Sequence, residues 1–327
     1  MKITNIEALV VNAGWRLVDA AGRVAKVAQV YEDHTAGLRS YGRALRLHQW
    51  FKNLLLFTPL LAVQQGHILA LFGRASLAFL AFGLCACSVY LLNDLLDLQD
   101  DRQHPRKRHR PFAAGDLPLI SGLILIPILL GLSSIVCVFL PLAFLRALAV
   151  YYALTLGYSF YFKKIAFVDV VVLAGLYTAR LIAGCAAVST WLPSWTLGAA
   201  TLLFLSLALI KRYAELVSMR KVVGEQAKAR SYRMQDCRLL ATLGGGCGYV
   251  AVLAFALTLY HADSAQMLNP QYKLSWLLCP FLLYWISHMW LSALRGGMHD
   301  DPVVFVLRDR VSHIVMAFVA VTFMVTV

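Results

Sequence analysis

Apolar runs long enough to cross a bilayer fill most of this sequence and leave few folds open to it. A hydrocarbon core about 30 Å thick takes roughly 20 helical residues. The chain offers such runs at about 54–72, 75–92, 117–138, 142–161, 166–188, 194–210, 241–260, 274–294 and 311–327. They are continuous rather than alternating, which fits helices and not a barrel with its period-two pattern. Only 14% of the 327 residues are charged, against roughly 25% in soluble domains, and the mean hydropathy is +0.68. The reading is an all-α integral membrane protein, a bundle of nine transmembrane helices. Gln64, Gln65 and His67 interrupt the first run, and the last is only just long enough.

Charge placement orients this layout. With the N-terminus cytoplasmic, segments 1–53, 93–116, 161–165, 211–240 and 295–310 fall on the cytoplasmic face. They hold 26 of the 30 Lys and Arg residues. Arg74, Arg146 and Lys273 fall on the other face, and Arg180 lies within a span. Positive residues concentrate on the cytoplasmic side of membrane proteins, so the asymmetry supports nine crossings of an inner (cytoplasmic) membrane. The net charge of +13 then reflects topology and anionic lipid or substrate. No nucleic-acid-binding module is recognisable.

Residues 1–40 differ from the rest. They mix polar and apolar residues without a spanning run, and no apolar stretch follows Lys2 as a signal peptide requires. They read as an N-terminal extension, either interfacial or the remnant of another domain, before a polytopic domain at 41–327. The seven cysteines form no pair of spaced pairs, so neither a disulfide framework nor a zinc site is expected.

Chemistry-bearing residues gather on the predicted cytoplasmic face. In Asn93–Asp101, Asp94, Asp97 and Asp101 stand at i, i+3 and i+7, on one helical face, with Asp100 on another. Stacked carboxylates repel unless a cation sits among them. Hard oxygen donors suit Mg²⁺, which binds through carboxylates together with substrate phosphates. Asn93 can add an amide oxygen or bond the substrate. Arg102, Arg106, Lys107, Arg108 and Arg110 follow within ten residues, broken by Pro105 and Pro111 into a loop. They suit either a polyphosphate or lipid headgroups. Arg43, Arg46 and Lys52, with interfacial Trp50, are placed near the lipid headgroups. Lys163, Lys164 and Asp169 come next, with Arg180 eleven residues beyond Asp169. That is ~16 Å along a helix, too far for a direct pair, so each needs another partner. Lys211, Arg212, Tyr213 and Glu215 mark a helix end that either holds a phosphate or merely snorkels. The tail His299, Asp300, Asp301, Arg308, Asp309 and Arg310 shows no catalytic order. No Walker loop, HExxH or dinucleotide fingerprint is present.

The pattern NDxxDxxxD at Asn93, Asp94, Asp97 and Asp101, followed by KRxRPxAxG at Lys107–Gly115, resembles the UbiA-type intramembrane prenyltransferase superfamily. The nine-span layout is similar too. After the sixth span that superfamily usually has a second DxxxD-like motif, whereas this chain has KRYAEL at Lys211–Leu216. Other stretches resemble the decaprenyl-phosphate phosphoribosyltransferase branch. They are RxHQWxKN at Arg46–Asn53, YSxxxK at Tyr158–Lys163, Asp169, RxxAG at Arg180–Gly184, KRYAEL, and LRDR at Leu307–Arg310. Leu47 departs from the Pro often found there in that branch. The resemblance covers about residues 41–327.

It implies Mg²⁺-dependent transfer of a 5-phosphoribosyl group from phosphoribosyl pyrophosphate to a polyprenyl phosphate at a cytoplasmic-face polar site. Asn93, Asp94, Asp97 and Asp101 would be catalytic, the three acids holding the metal. Lys52, Arg102, Lys107, Arg108, Arg110, Lys163, Asp169, Lys211, Arg212, Tyr213 and Glu215 would bind substrate, with Glu215 on a second metal or the ribose hydroxyls. The alternative is transfer of an isoprenoid from its diphosphate to a small aromatic acceptor. Membrane lipid is an expected partner, nucleic acid is not, and homo-oligomerisation is left open.

Overall fold

The computed structural model describes residues 8–10, 20, 22–23, 27–30, 37–62, 68–103, 107–223, 228–229, 231–265, 270–298 and 302–326. Strands β1 (Ala8–Val10) and β2 (Val27–Val30) pair in parallel. The helices are α1 (Leu38–Ala44), α2 (Ile68–Leu96), α3 (Leu98–Gln103), α4 (Pro111–Ala114), α5 (Leu119–Cys137), α6 (Leu142–Phe160), α7 (Val168–Val188) and α8 (Ser194–Val223). A two-residue strand pair follows, β3 (Lys228–Ala229) with β4 (Tyr232–Arg233). Then come α9 (Cys237–Ala265), α10 (Leu278–Leu294), α11 (Pro302–Val306) and α12 (Arg310–Thr326).

Among the described residues, seven helical stretches are long and apolar enough to cross a membrane. They are Ile68–Leu96, Leu119–Cys137, Leu142–Phe160, Val168–Val188, Ser194–Arg220, Met234–His261 and Leu274–Leu294. The sequence predicts nine. The first expected span, 54–72, instead begins in a 3₁₀ run, Leu47–Ala62, which contains Pro59. Gln64, Gln65 and His67 lie outside the described residues. The ninth corresponds to α12, whose 17 residues reach only ~26 Å. The sixth is longer than expected, because α8 stays helical beyond Lys211.

Contacts divide the chain into two units, Met1–His48 with Ala86–Gly131, and Gln49–Cys85 with Leu132–Val327. In the first, α1 lies on α4, and α4 on α3. Pro111 opens α4, where its missing N–H costs nothing, and Gly115 closes it at φ +82. In the second, α6, α7, α8 and α9 pack in chain order and α10 joins α9 and α8. The core of this unit gathers Val170, Leu209, Ile210, Leu216, Leu240, Met289 and Trp290.

Gly244 lets three helices close there. A Cβ at Gly244 would stand 2.0 Å from a ring carbon of Trp290 and 3.0 Å from the Leu209 side chain. The Trp290 indole N–H donates to Ser206 Oγ at 3.1 Å, and Ser206 donates to the Gly244 carbonyl at 2.7 Å. Overpacking a core costs about 1–3 kcal/mol, so Gly244→Ala is expected to lower the unfolding midpoint in detergent. Gly245→Ala and Gly246→Ala, where nothing lies within 4 Å of the added Cβ, are expected to leave it unchanged. Equal midpoints for all three variants would contradict this packing.

Candidate functional site

The first unit builds an acid–base cluster at the end of α2. The helical ladder carries on across the α2–α3 junction, with Asp97 N–H on the Asn93 carbonyl at 2.9 Å and Asp101 N–H on the Asp97 carbonyl at 2.8 Å. Asp94 and Asp101 therefore stay on one side of the chain, both buried, while Asp100 is exposed. Arg110, in extended backbone just before α4, sends one nitrogen to both acids. Its Nη1 lies 3.0 Å from Asp94 Oδ1 and 2.6 Å from Asp101 Oδ2. Arg46 Nη2 donates to the same Asp94 oxygen, and its guanidinium lies 5.4 Å from the centre of the Tyr90 ring. Arg46 has φ +50, a left-handed conformation rare for a long side chain. In the sequence Arg46 reads as a base near the headgroups and as part of RxHQWxKN; its pairing with Asp94, 48 residues on, comes from the fold.

Two carboxylates thus converge on one cationic point, and their oxygens fit a hard divalent cation such as Mg²⁺. The predicted three-acid set is not formed. No group of three or more His, Cys, Asp or Glu residues among those described could hold a metal. Asp97 stands at the α2–α3 junction and is half-buried. Asn93 and Lys107 are half-buried, and Arg102 and Arg108 are exposed. Arg106 lies outside the described residues.

The second unit builds a separate network around Asp169, in the first turn of α7. Asp169 is 1% exposed. Arg212 Nε donates to its Oδ2 at 2.5 Å, and the Tyr232 hydroxyl donates to its Oδ1 at 2.6 Å. Arg212, itself 0% exposed, donates through Nη1 to Glu215 at 2.6 Å and through Nη2 to the Tyr158 hydroxyl at 3.0 Å. Glu215 is the outermost acid of the set, its side chain 38% exposed. Burial and the hydrogen bond to Asp169 push the Tyr232 phenol well above its ordinary pKa, so it stays a proton donor. Lys163 and Lys211 are half-buried, and Lys164 is exposed. Tyr213 turns away from this set into the core, edge-on to Trp290 at 6.1 Å.

Arg180 finds partners of its own, as its distance from Asp169 requires. Its Nε donates to Asn53 Oδ1 at 3.2 Å, Nη1 to the Leu176 carbonyl at 2.8 Å and Nη2 to the Tyr151 hydroxyl at 3.0 Å. The rings of Tyr151, Tyr177 and Phe82 lie within 5.4 Å of its guanidinium carbon. Lys52, in the 3₁₀ run beside Asn53, is half-buried. In the C-terminal motif, Asp309 accepts the Ser312 N–H at 2.8 Å and the Ser312 hydroxyl at 2.7 Å, capping α12, and meets His288 at 3.2 Å. Partial burial works to raise the Asp309 pKa, but the bonds from Ser312 and His288 outweigh it and hold the carboxyl below its ordinary range. His299, Asp300 and Asp301 lie outside the described residues.

A family model described as the UbiA prenyltransferase family matches residues 53–307. The uncharacterized protein y4nM of Sinorhizobium fredii is 33% identical over 85% of this chain, which spans 54% of that protein, about half its length. The nodulation protein NoeC of Azorhizobium caulinodans is 34% identical over 83% of the chain and 87% of its own. The decaprenyl-phosphate phosphoribosyltransferase of Mycolicibacterium smegmatis is 32% identical over 83% and 87%. Among solved structures, a UbiA homolog from Archaeoglobus fulgidus bound to DMAPP and Mg²⁺ aligns with a TM-score of 0.63. The identity there is 17%, over 88% of this chain and 99% of that one. The apolar helices, the Asp-rich end of α2 and these matches agree: the chain belongs to the UbiA prenyltransferase family of transferases.

Proposed function

We propose that residues 41–327 form an integral-membrane phosphoribosyltransferase, with residues 1–40 as an extension and the active site on the cytoplasmic face. The donor is phosphoribosyl pyrophosphate, the acceptor a polyprenyl phosphate, and pyrophosphate is released. The observation that carries this reading is the state of the second polar set. Its two acids, Asp169 and Glu215, both accept from buried Arg212, so a guanidinium stands between them where a second acidic metal site would place a cation. A set built around an arginine, with Lys163 and Lys211 in the same motifs, suits a donor that carries a 5-phosphate besides its pyrophosphate.

Asp94 and Asp101, with Asp97 and Asn93 beside them, would hold Mg²⁺, which when bound neutralises pyrophosphate oxygens. Arg110, Lys107, Arg108 and Arg102 stabilise the charge that develops on the leaving pyrophosphate. The C1–O bond of the ribose breaks with its electron pair on that oxygen, and a phosphate oxygen of the lipid forms the new bond to C1. The acceptor is already anionic near neutral pH, so no general base is needed. Lys163 and Lys211 hold donor phosphate, Glu215 accepts from ribose hydroxyls, and Lys52 meets the acceptor headgroup. Arg212, predicted to touch substrate, acts from behind by holding Asp169 and Glu215, and Tyr213, also predicted to touch it, packs in the core.

Purified protein supplied with Mg²⁺, phosphoribosyl pyrophosphate and decaprenyl phosphate is expected to release pyrophosphate and form a phosphoribosylated lipid. A parallel reaction with geranyl diphosphate and an aromatic acid is expected to release none. The reverse outcome would establish isoprenoid transfer in its place. Silence in both reactions, with retained binding of polyprenyl phosphate, would point to a lipid-phosphate carrier.

A further inference from the structure

We infer that Tyr232 is a positioning residue whose hydroxyl ties the α8–α9 connection to both halves of the second polar set, and so sets donor affinity. The inference rests on the phosphoribosyl reading.

Tyr232 stands just before α9, 63 residues after Asp169, and is 1% exposed. Its hydroxyl has two jobs. It accepts the Phe167 N–H at 2.7 Å and donates to Asp169 Oδ1 at 2.6 Å. Phe167 is held at φ +64, a left-handed conformation that strains a bulky residue. The strained corner is also where the chain turns from Lys163 and Lys164 into α7. A second, outer tie reaches the same corner, because the Ser231 hydroxyl donates to the Lys164 carbonyl. The ring of Tyr232 packs edge-on to Phe167 at 5.8 Å. Its own backbone is anchored from behind, since Asp236 accepts the next residue's N–H at 2.8 Å.

One oxygen therefore fixes two things. Through Phe167 N–H it fixes the corner that presents Lys163. Through Asp169 it fixes Arg212, and Arg212 in turn holds Glu215 and Tyr158. Removing the hydroxyl leaves a part-buried N–H and a buried carboxylate oxygen each short of a bond. Buried groups in that position relax until they find partners. Lys163 and Glu215 then lose their common reference while the ring packing stays. Donor affinity should fall, and the chemical step, which depends on the Asp94 cluster, should not.

The test is binding of phosphoribosyl pyrophosphate with Mg²⁺ by calorimetry, with steady-state kinetics, on the full chain in detergent. Tyr232→Phe is expected to raise the donor Kd and KM roughly five- to tenfold, with kcat and the acceptor KM within twofold. Tyr249→Phe, which loses an exposed bond to Ser287, should change none of these. Ser231→Ala removes only the outer tie, leaves the core untouched and should raise the donor Kd about twofold. An unchanged donor Kd in both Tyr232→Phe and Ser231→Ala overturns the inference, whatever happens to the unfolding midpoint. A wild-type protein that does not bind the donor removes the phosphoribosyl reading itself, and this inference with it.

Discussion

Asp94→Asn is expected to cut Mg²⁺-dependent transfer by roughly 10²–10³-fold, the usual cost of removing one preorganised group that stabilises transition-state charge. Asp94 is 2% exposed and takes two arginines on one oxygen, Arg46 and Arg110. Asparagine keeps the shape and one oxygen but removes the negative charge that attracts a divalent cation. The two arginines keep access to solvent, with side chains 18% and 28% exposed, so they can rehydrate and the fold should survive. The loss should thus appear in activity and in the Mg²⁺ concentration needed for half-maximal rate, with little change in the unfolding midpoint. Asp101→Asn should behave alike, because it shares Arg110. Asp100→Asn, on the exposed side, should stay within threefold of the parent. Asp97→Asn is the discriminating variant, since Asp97 does not join a three-acid group here. A smaller defect than at Asp94 is expected. Retention of full Mg²⁺-dependent transfer by both Asp94→Asn and Asp101→Asn would dismiss the metal role of this cluster.

Some of this was legible in the residues alone. The bilayer forces every backbone polar group to be satisfied within its own helix, so seven spans could be read as apolar runs. Hydropathy does not sense Pro59 or the choice of 3₁₀ over α geometry, so it does not foresee that the first expected run begins in a 3₁₀ segment. Helical spacing separated Asp100 from Asp101 correctly, and it foresaw that Asp169 and Arg180 must look elsewhere for partners. Which partners they found was not readable. Arg212, Tyr232, Tyr151 and Asn53 are brought in by tertiary packing from 29 to 127 residues away. The KRYAEL motif sets Tyr213 beside Arg212, yet successive helical residues point about 100° apart, and Tyr213 lies in the core. Tyr232 carried no signal, sitting in a short polar connection without periodicity. The cluster at Asp94 was better marked because all its acids, and Arg110, lie within 17 residues of one another.

The largest stability effect is expected from splitting the buried ion pair. Arg212→Met leaves Asp169, 1% exposed, with a carboxylate oxygen that no longer meets a guanidinium. Breaking one partner of a buried pair costs about 3–5 kcal/mol, mostly because the remaining charge stays desolvated. A chemical-denaturation midpoint in detergent should fall accordingly. Adding Asp169→Asn removes that stranded charge while the amide oxygen still accepts from the Tyr232 hydroxyl. The double variant should therefore recover most of the lost stability, as pair-for-neutral replacements often do. Transfer activity should not return with it, because the guanidinium that joins Asp169, Glu215 and Tyr158 is then gone. This separates two reasons for keeping a costly buried charge. If the pair serves only the fold, stability and activity return together in the double variant. If it serves the site, stability returns and the donor KM stays high, and that is the outcome expected from an arginine that spends three of its nitrogens on Asp169, Glu215 and Tyr158.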